Sequence, residues 1–531
     1  MESTPDGLVT TQTWPSRGTT FAFAEQRPGI LPPTPNTGVC FSGGGARSHA
    51  ATVGQLRALT HLGLIGNIRY ISCVSGSSWP CVPYTYYTGP ADDSVLLGAV
   101  VPPEQLTIDA LGQIDALCLL LPATKDFQAT LIRIAERLTT PPDQLWIQTV
   151  GETFLASYGL HDPARPASFS LNETTVDAIR RANPNLAALT FHTVRSDVAR
   201  PFLIMTSCIV WPDNVLEAEQ RVSCEYTPLY VGSPLLQTLT ASVFDIARTR
   251  VVGGGFIEPF AVGSAPPAAA PDPDGRVRVV PPKRLFTLAD ASGTSSSAYS
   301  ALLDHLDCTL LSPHVSCWPV GGAGSPTAED FVFADGGSLE NTAILALLRR
   351  RVERLVVFVN TYVALNLDYD PGRAPGPTDL DASVAQLFGQ PGSTPSPNQV
   401  FSQEDFVTVV RALQDAKRTG NAAVATTRLA VQANAWWGID AGWQVQVSWI
   451  YNDRVPNWEN RLPADLRALI DAGQPPTPTG PLLDFPHYKT DFENRHALVQ
   501  LTAEQASLLS HLSCATVIDN AAVFARALSN P

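Results

Sequence analysis

The apolar residues of this chain gather in short runs that end at glycine or a small polar residue. The run 38–42 is apolar and rich in β-formers, which predicts a buried strand. Past Gly43, Gly44 and Gly45, the residues Val53, Leu56, Leu59 and Leu62 recur at helical spacing, and Gly63 offers a stop. The pattern is strand, glycine turn, helix. Residues 68–74 predict a second buried strand, 331–334 a third and 355–359 a fourth, with a helix over 341–351. Longer helical patterns run over 404–435 and 502–528.

The turns between these elements carry the candidate chemistry. Three glycines after a strand let the backbone turn tightly and approach a ligand. The N–H groups of the helix that follows favour an anion. Phosphate or nucleotide binding is one reading, but no Walker lysine follows and the spaced dinucleotide glycines are absent. Ser75 stands before Gly76 at the end of the second strand, where a sharp strand-to-helix turn would expose its hydroxyl. The outer positions of that turn are Cys73 and Ser77 instead of glycine. Pro80 fits a helix's first turn, and Pro83 implies a short or distorted one. Asp335 ends the third strand before Gly336 and Gly337, a position that also suits a simple turn or cap residue. A glycine loop, a turn serine and an acid together supply an oxyanion site, a nucleophile and a base for acyl transfer.

With these motifs in order, the chain resembles the patatin-like and group IV cytosolic phospholipase A superfamily, which includes phospholipase B-type enzymes. Ser75-Gly76-Ser77-Ser78-Trp79 is similar to the nucleophile turn of the cytosolic branch. The segments 225–233, 293–297 and 485–487 resemble further family segments, so the likeness spans about 38–490. The resemblance implies Ser75 and Asp335 as a catalytic dyad. It implies Gly43, Gly44, Gly45 and Gly76 as the oxyanion hole and Arg47 as the basic residue of the loop. Arg47 suits a lipid phosphate or, equally, a structural salt bridge. The implied fold is α/β: a patatin-like three-layer α/β/α catalytic domain with a mainly parallel central sheet and inserted helical cap or lid segments. Cys73 departs from the family's glycine two residues before the nucleophile, which implies a more strained turn. Only 42 residues precede the glycine loop, too few for a calcium-binding lipid module, so calcium-independent action is expected.

Rival readings remain open on the residues alone. His49, His487 and His496 are available for a histidine-based triad, although packing or surface roles suit them better. Ser295, Ser296 and Ser297 form a second serine cluster, read as caps of a helix beginning near Ala298. None of the nine cysteines has CxxC or other ligand spacing and no HExxH occurs, so neither metal nor cofactor is expected.

At 531 residues the length prior suggests about three domains. The motif order predicts instead an N-terminal extension over 1–37 and one catalytic domain over 38–531. A cap insertion is expected at about 90–200, with proline-rich loops at about 264–283 and 369–398. The net charge of −14 and the absence of a basic run argue against nucleic acid as a partner. Membrane or micelle contact is expected to be transient and to rely on apolar groups such as Trp436 and Trp437, which suit the core equally. The first residues lack a signal-peptide pattern, no apolar run reaches a membrane span, and an odd cysteine count fits reduced thiols, so a cytoplasmic location is expected. The function expected is release of fatty acid from phospholipid or lysophospholipid. An acyltransferase using the same acyl-enzyme and a non-catalytic lipid-binding protein are the alternatives.

Overall fold

The computed structural model describes residues 7–16, 21–212, 220–243, 246–298, 312–322, 326–391, 397–489 and 499–529. The chain forms two compact units, both mixed α/β. The first comprises 1–32, 85–88 and 128–339, and the second 33–84, 89–127 and 340–531.

The second unit is built on parallel strands. Thr37–Phe41 lies between Tyr70–Val74 and Arg354–Val359, paired parallel to both. Arg354–Val359 continues parallel to Gln444–Tyr451, and Ala423–Ala430 closes that edge antiparallel. Thr37–Phe41 and Tyr70–Val74 are buried at every position, as parallel strands covered on both faces must be. Phe41 stacks on Phe358 (5.4 Å between centroids), and Phe358 stacks in turn on Phe524 of the helix Ala521–Leu528 (5.9 Å). The helix Gly45–His61 packs against Ala503–Asp519 at Gly54, where a Cβ would lie 2.0 Å from the Ser510 carbonyl oxygen.

The first unit is antiparallel in all its large-sheet pairs among the described residues. The mainly parallel arrangement expected from the sequence therefore holds for the second unit and not for this one. The cause is local: long neighbouring strands such as Val231–Val243 and Ile246–Ile257 join as hairpins, which pair antiparallel. Six strands follow in order: Ile246–Ile257, Val231–Val243, Gln220–Tyr226, Phe202–Trp211, Glu329–Asp335 and His314–Cys317. A register break between Ser233 and Leu236, opposite Gly253, curls the ribbon. Val320 then donates its N–H to the Gly253 carbonyl (3.0 Å), which brings the segment after His314–Cys317 against Ile246–Ile257. Val9–Pro15 adds to the outside, between Ile246–Ile257 and Arg276–Val279. Glu258 holds it there, accepting from the Gln12 N–H (2.7 Å) and the Thr11 hydroxyl (3.0 Å). Burial pushes the Glu258 carboxyl up to about 7.

Two helical expectations are corrected. The pattern over 404–435 is a helix only over Gln403–Arg418; Gly420, at φ +79°, ends it, and Ala423–Ala430 is a strand. The pattern over 502–528 is two helices, Ala503–Asp519 and Ala521–Leu528, bent by 71° at Asn520. No single helix among the described residues is long and apolar enough to cross a membrane. The expected helix near Ala298 falls largely on 299–311, outside the described residues.

Candidate active site

The glycine loop and the serine turn meet inside the second unit. Thr37–Phe41 ends, Gly44 takes φ +143°, and the helix Gly45–His61 begins. Tyr70–Val74 ends in extended backbone, and Ser75 follows at φ +58°. That left-handed conformation is costly for a residue with a Cβ and is a mark of a nucleophile turn. The two turns touch through missing side chains. A Cβ on Gly76 would lie 2.2 Å from the Gly45 carbonyl oxygen, and one on Gly43 would lie 2.9 Å from the Ser75 Cβ. Ser77 locks the turn: its hydroxyl accepts the Val74 N–H (3.0 Å) and donates to the Phe41 carbonyl (2.9 Å). Cys73, fully buried, packs beside Cys81, and burial pushes its thiol well up, so the residue that replaces glycine here is an inert packing group. Ser78–Tyr86 is helical, nine residues long with Pro83 inside it, the short helix expected from the prolines.

The loop's amides divide into two sets. Gly43 donates its N–H to the Asn341 carbonyl (3.1 Å), so its place in the loop is steric. Gly44 and Gly45 stand at the helix N-terminus, where position leaves amides without intrahelical acceptors, and Gly76 opens the turn Ser75–Ser77.

Arg47 holds the loop from beneath. It is 2% exposed and donates from Nε to the Asn360 carbonyl (2.9 Å) and from Nη1 to the carbonyls of Tyr488 (3.0 Å) and His487 (3.4 Å). Its guanidinium lies 5.3 Å from the centre of the Tyr362 ring. Burial lowers its pKa to about 10, partly offset by Asp381. Gly44 must be glycine for this residue to pass, since a Cβ there would lie 2.5 Å from Arg47 Nη2. His487 of the Phe485-Pro486-His487 segment and Tyr488 after it thus supply acceptors for Arg47.

Sequence reasoning missed Asn341 and Asn360. Asn360 donates its N–H to Ser42 Oγ (2.8 Å) and accepts at Oδ1 from Gln55 (2.7 Å). The sequence shows only a polar residue directly after the apolar run 355–359; its burial is a fact of the fold.

Asp335 lies in the first unit. It ends the strand Glu329–Asp335, opposite Ser207, and is 6% exposed. Its Oδ1 accepts the Gly337 N–H (2.7 Å), as a cap residue does, and its own N–H donates to the Ser297 carbonyl (3.2 Å).

The rival residues have other employment. His49 Nε2 is 2.6 Å from the Leu119 carbonyl, and burial lowers its pKa to about 4. Burial likewise lowers His487 to about 4. His496 lies outside the described residues. Ser295 ends the helix Leu288–Ser295, capped at its start by Thr287 and Asp290. Its hydroxyl donates to the Thr206 carbonyl (2.7 Å), and that of Ser296 donates to the Ser292 carbonyl (2.8 Å). These hydroxyls thus bond carbonyls at the end of the helix Leu288–Ser295; the helix expected to begin near Ala298 lies largely outside the described residues. Trp437 is core, its Nε1 donating to Asn398 Oδ1 (3.0 Å). Among the described residues no group of three or more His, Cys, Asp or Glu side chains is placed to hold a metal ion.

No family model matches the chain. Human cytosolic phospholipase A2 zeta is 28% identical over 200 residues, which is 38% of this chain. The chain resembles the cytosolic phospholipase A2 family. The match spans only 20% of that relative's length. Among solved structures, human GIVD cytosolic phospholipase A2 overlays at a TM-score of 0.49 with 15% identity, covering 95% of this chain and 61% of that one. Its complex with methyl gamma-linolenyl fluorophosphonate overlays at 0.42 with 16% identity, covering 93% and 58%. The cytosolic phospholipase A2-like character of the chain thus rests on sequence over a limited stretch, together with the motifs at Gly43, Ser75 and Asp335.

Proposed function

We propose that the protein is a serine acyl hydrolase that releases fatty acid from phospholipid or lysophospholipid. The carrying observation is Ser75 at φ +58°, seated against Gly43 and beside the helix that Gly44 and Gly45 open. On this reading Asp335 is the base. It takes the Ser75 proton as Oγ bonds to the ester carbon, and the carbonyl electron pair becomes the oxyanion. The N–H groups of Gly44, Gly45 and Gly76 stabilise that charge, at about 3–4 kcal/mol per donor. Collapse breaks the ester C–O bond, and the leaving alcohol takes the proton from Asp335. Water then attacks the acyl-enzyme by the same route in reverse. Arg47 acts by positioning the loop through its three carbonyl contacts, a role its burial favours over direct binding of a phosphate.

The same reading makes 38–531 one patatin-type catalytic module of three layers, with the helices of about 90–200 as its cap. Calcium-independent turnover, transient membrane contact and a cytoplasmic location go with it. The test is fatty acid release from mixed phospholipid and lysophospholipid, with and without added acceptor alcohols. Free fatty acid in both conditions supports a hydrolase. Acyl transfer to the alcohol in preference to water makes the protein an acyltransferase. Saturable lipid binding without turnover makes it a lipid-binding protein.

A further inference from the structure

The second unit carries an open cleft of ≈ 400 Å³ that no residue of the glycine loop or the serine turn lines. One wall is a face of the helix Ala464–Ala472, where Ala464, Arg467, Ala468 and Asp471 recur at three- and four-residue spacing. The other wall is the short helix Pro456–Glu459 with Asn460 after it. Arg454 ties the two walls together. It donates from Nε to Glu459 Oε1 (2.8 Å) and from Nη2 to Glu459 Oε2, and Nη2 also meets Asp471 Oδ1 (3.2 Å). Glu459 takes the Val455 N–H as well (3.1 Å), so both its oxygens are engaged.

Arg467 has no such partner. Among the described residues its side chain makes no hydrogen bond and no ion pair, and its Nε is buried without an acceptor. A guanidinium N–H buried in that way is costly. An oxyanion in the cleft gives the fork its acceptors, two oxygens against two N–H groups. Ala464 and Ala468 flank Arg467 on the same face and add only methyl groups, and the volume falls in the usual range for small-molecule sites. The charges lining the cleft set the ligand's own. Glu459 and Asp471 share Arg454, and Arg467 is the cation left over. A single negative charge pairs with Arg467, whereas a second one meets Asp471.

We propose that Arg467 anchors a binding site for a small oxyanion of one negative charge, the chemistry shared by a free carboxylate and by the phosphodiester of a phospholipid head group. The site goes beyond the acyl-hydrolase reading and does not depend on it. The probes are propionate, dimethyl phosphate and vesicles of ether-linked phosphatidylcholine, which has no carboxylic ester to hydrolyse. Each is added to the full chain at constant ionic strength. Phenylglyoxal modification of Arg467, read by peptide mass spectrometry, reports the place, and calorimetric titration of the soluble ions reports the affinity. At least one soluble ion is expected to bind saturably and to protect Arg467. Protection by propionate identifies a free carboxylate as the source; protection by dimethyl phosphate together with the vesicles identifies a lipid head. Arg467→Lys keeps the charge and loses the fork, and should weaken binding by about ten-fold. Ala464→Glu sets a carboxylate three residues before Arg467 on the same face, and should abolish binding with the circular dichroism unchanged. Sulfate, with two charges, should bind about ten-fold more weakly than the better monoanion. No binding by either soluble ion overturns the site, as does binding that leaves Arg467 unprotected or wild-type affinity in both variants. Protection by vesicles alone is surface occlusion and overturns it too. Sulfate binding as tightly as the monoanions overturns the single-charge assignment. Ser75→Ala is expected to bind as wild type does, so failure of Ser75 as a nucleophile leaves these readouts unchanged.

Discussion

Gly43 and Asn341 are joined twice: the Gly43 N–H donates to the Asn341 carbonyl (3.1 Å), and the Asn341 side-chain oxygen occupies the space where a Gly43 Cβ would stand (2.2 Å). The glycine loop is thereby pinned at the point where it meets Ser75. Gly43→Ala must push both Asn341 and the Ser75 turn aside. We expect a stability loss of about 1–3 kcal/mol, the usual cost of overpacking. Serine labelling should fall more steeply than stability. Urea unfolding alongside a labelling rate measures both; a variant as stable and reactive as wild type contradicts the packing described.

Ser75 holds a backbone conformation that suits glycine better than serine. Ser75→Gly should therefore stabilise the protein, by about 1 kcal/mol, while removing its reactivity. Chemical denaturation of Ser75→Gly beside Ser75→Ala separates relief of backbone strain from loss of the hydroxyl. A less stable Ser75→Gly would show that the turn is not strained.

Arg47 gives its fork to three backbone carbonyls in a site closed to water. A lysine carries the charge but not the fork, so the exchange leaves carbonyls without donors. Arg47→Lys should cost about 1.5–3 kcal/mol and slow labelling by loosening the loop. If Arg47 instead met a lipid phosphate, the variant would keep its stability and lose only substrate affinity. Melting curves with KM and kcat measured apart distinguish the two.

Glu258 supplies a pH test of the N-terminal strand. Its folded-state pKa is raised from 4.5 to about 7 by burial. Its contribution to stability is thus fully present below about 4.5 and is lost as pH rises through 7. Glu258→Gln removes that titration. Relative to wild type, the variant should gain about 3 kcal/mol between pH 4 and pH 8. Urea midpoints of both proteins across that range provide the check; parallel curves would show that the buried carboxyl does not titrate as described.

The sequence made the glycine loop legible because its strands are buried on both faces and leave dense apolar runs, with turns that demand glycine. The strand ends at Val74 and Asp335, which carry Ser75, Gly76 and Asp335, were legible from the same kind of apolar run. The strand Ala423–Ala430 was not, because its alanines and leucine continue a helical pattern unless Gly420 is given its positive φ. The contact between the segment after His314–Cys317 and Ile246–Ile257 was hidden too, since it includes a backbone bond from Val320 to Gly253, and backbone groups carry no residue signature. The strand Val9–Pro15 was overlooked despite a threonine-rich, alternating sequence whose burial alternates with it. Asn341 and Asn360 act through backbone and amide contacts that only the fold brings to the loop.

The central claim is that Ser75 is the nucleophile and Asp335 its base. The most direct measurement is the rate and site of fluorophosphonate labelling, read by peptide mass spectrometry, in wild type, Ser75→Ala, Asp335→Asn and Ser295→Ala, each checked for folding. The account predicts an adduct on Ser75 in wild type and Ser295→Ala and no adduct in Ser75→Ala. In Asp335→Asn it predicts labelling slowed by about 10²–10⁴. An adduct on another serine, or wild-type labelling in Asp335→Asn, contradicts it.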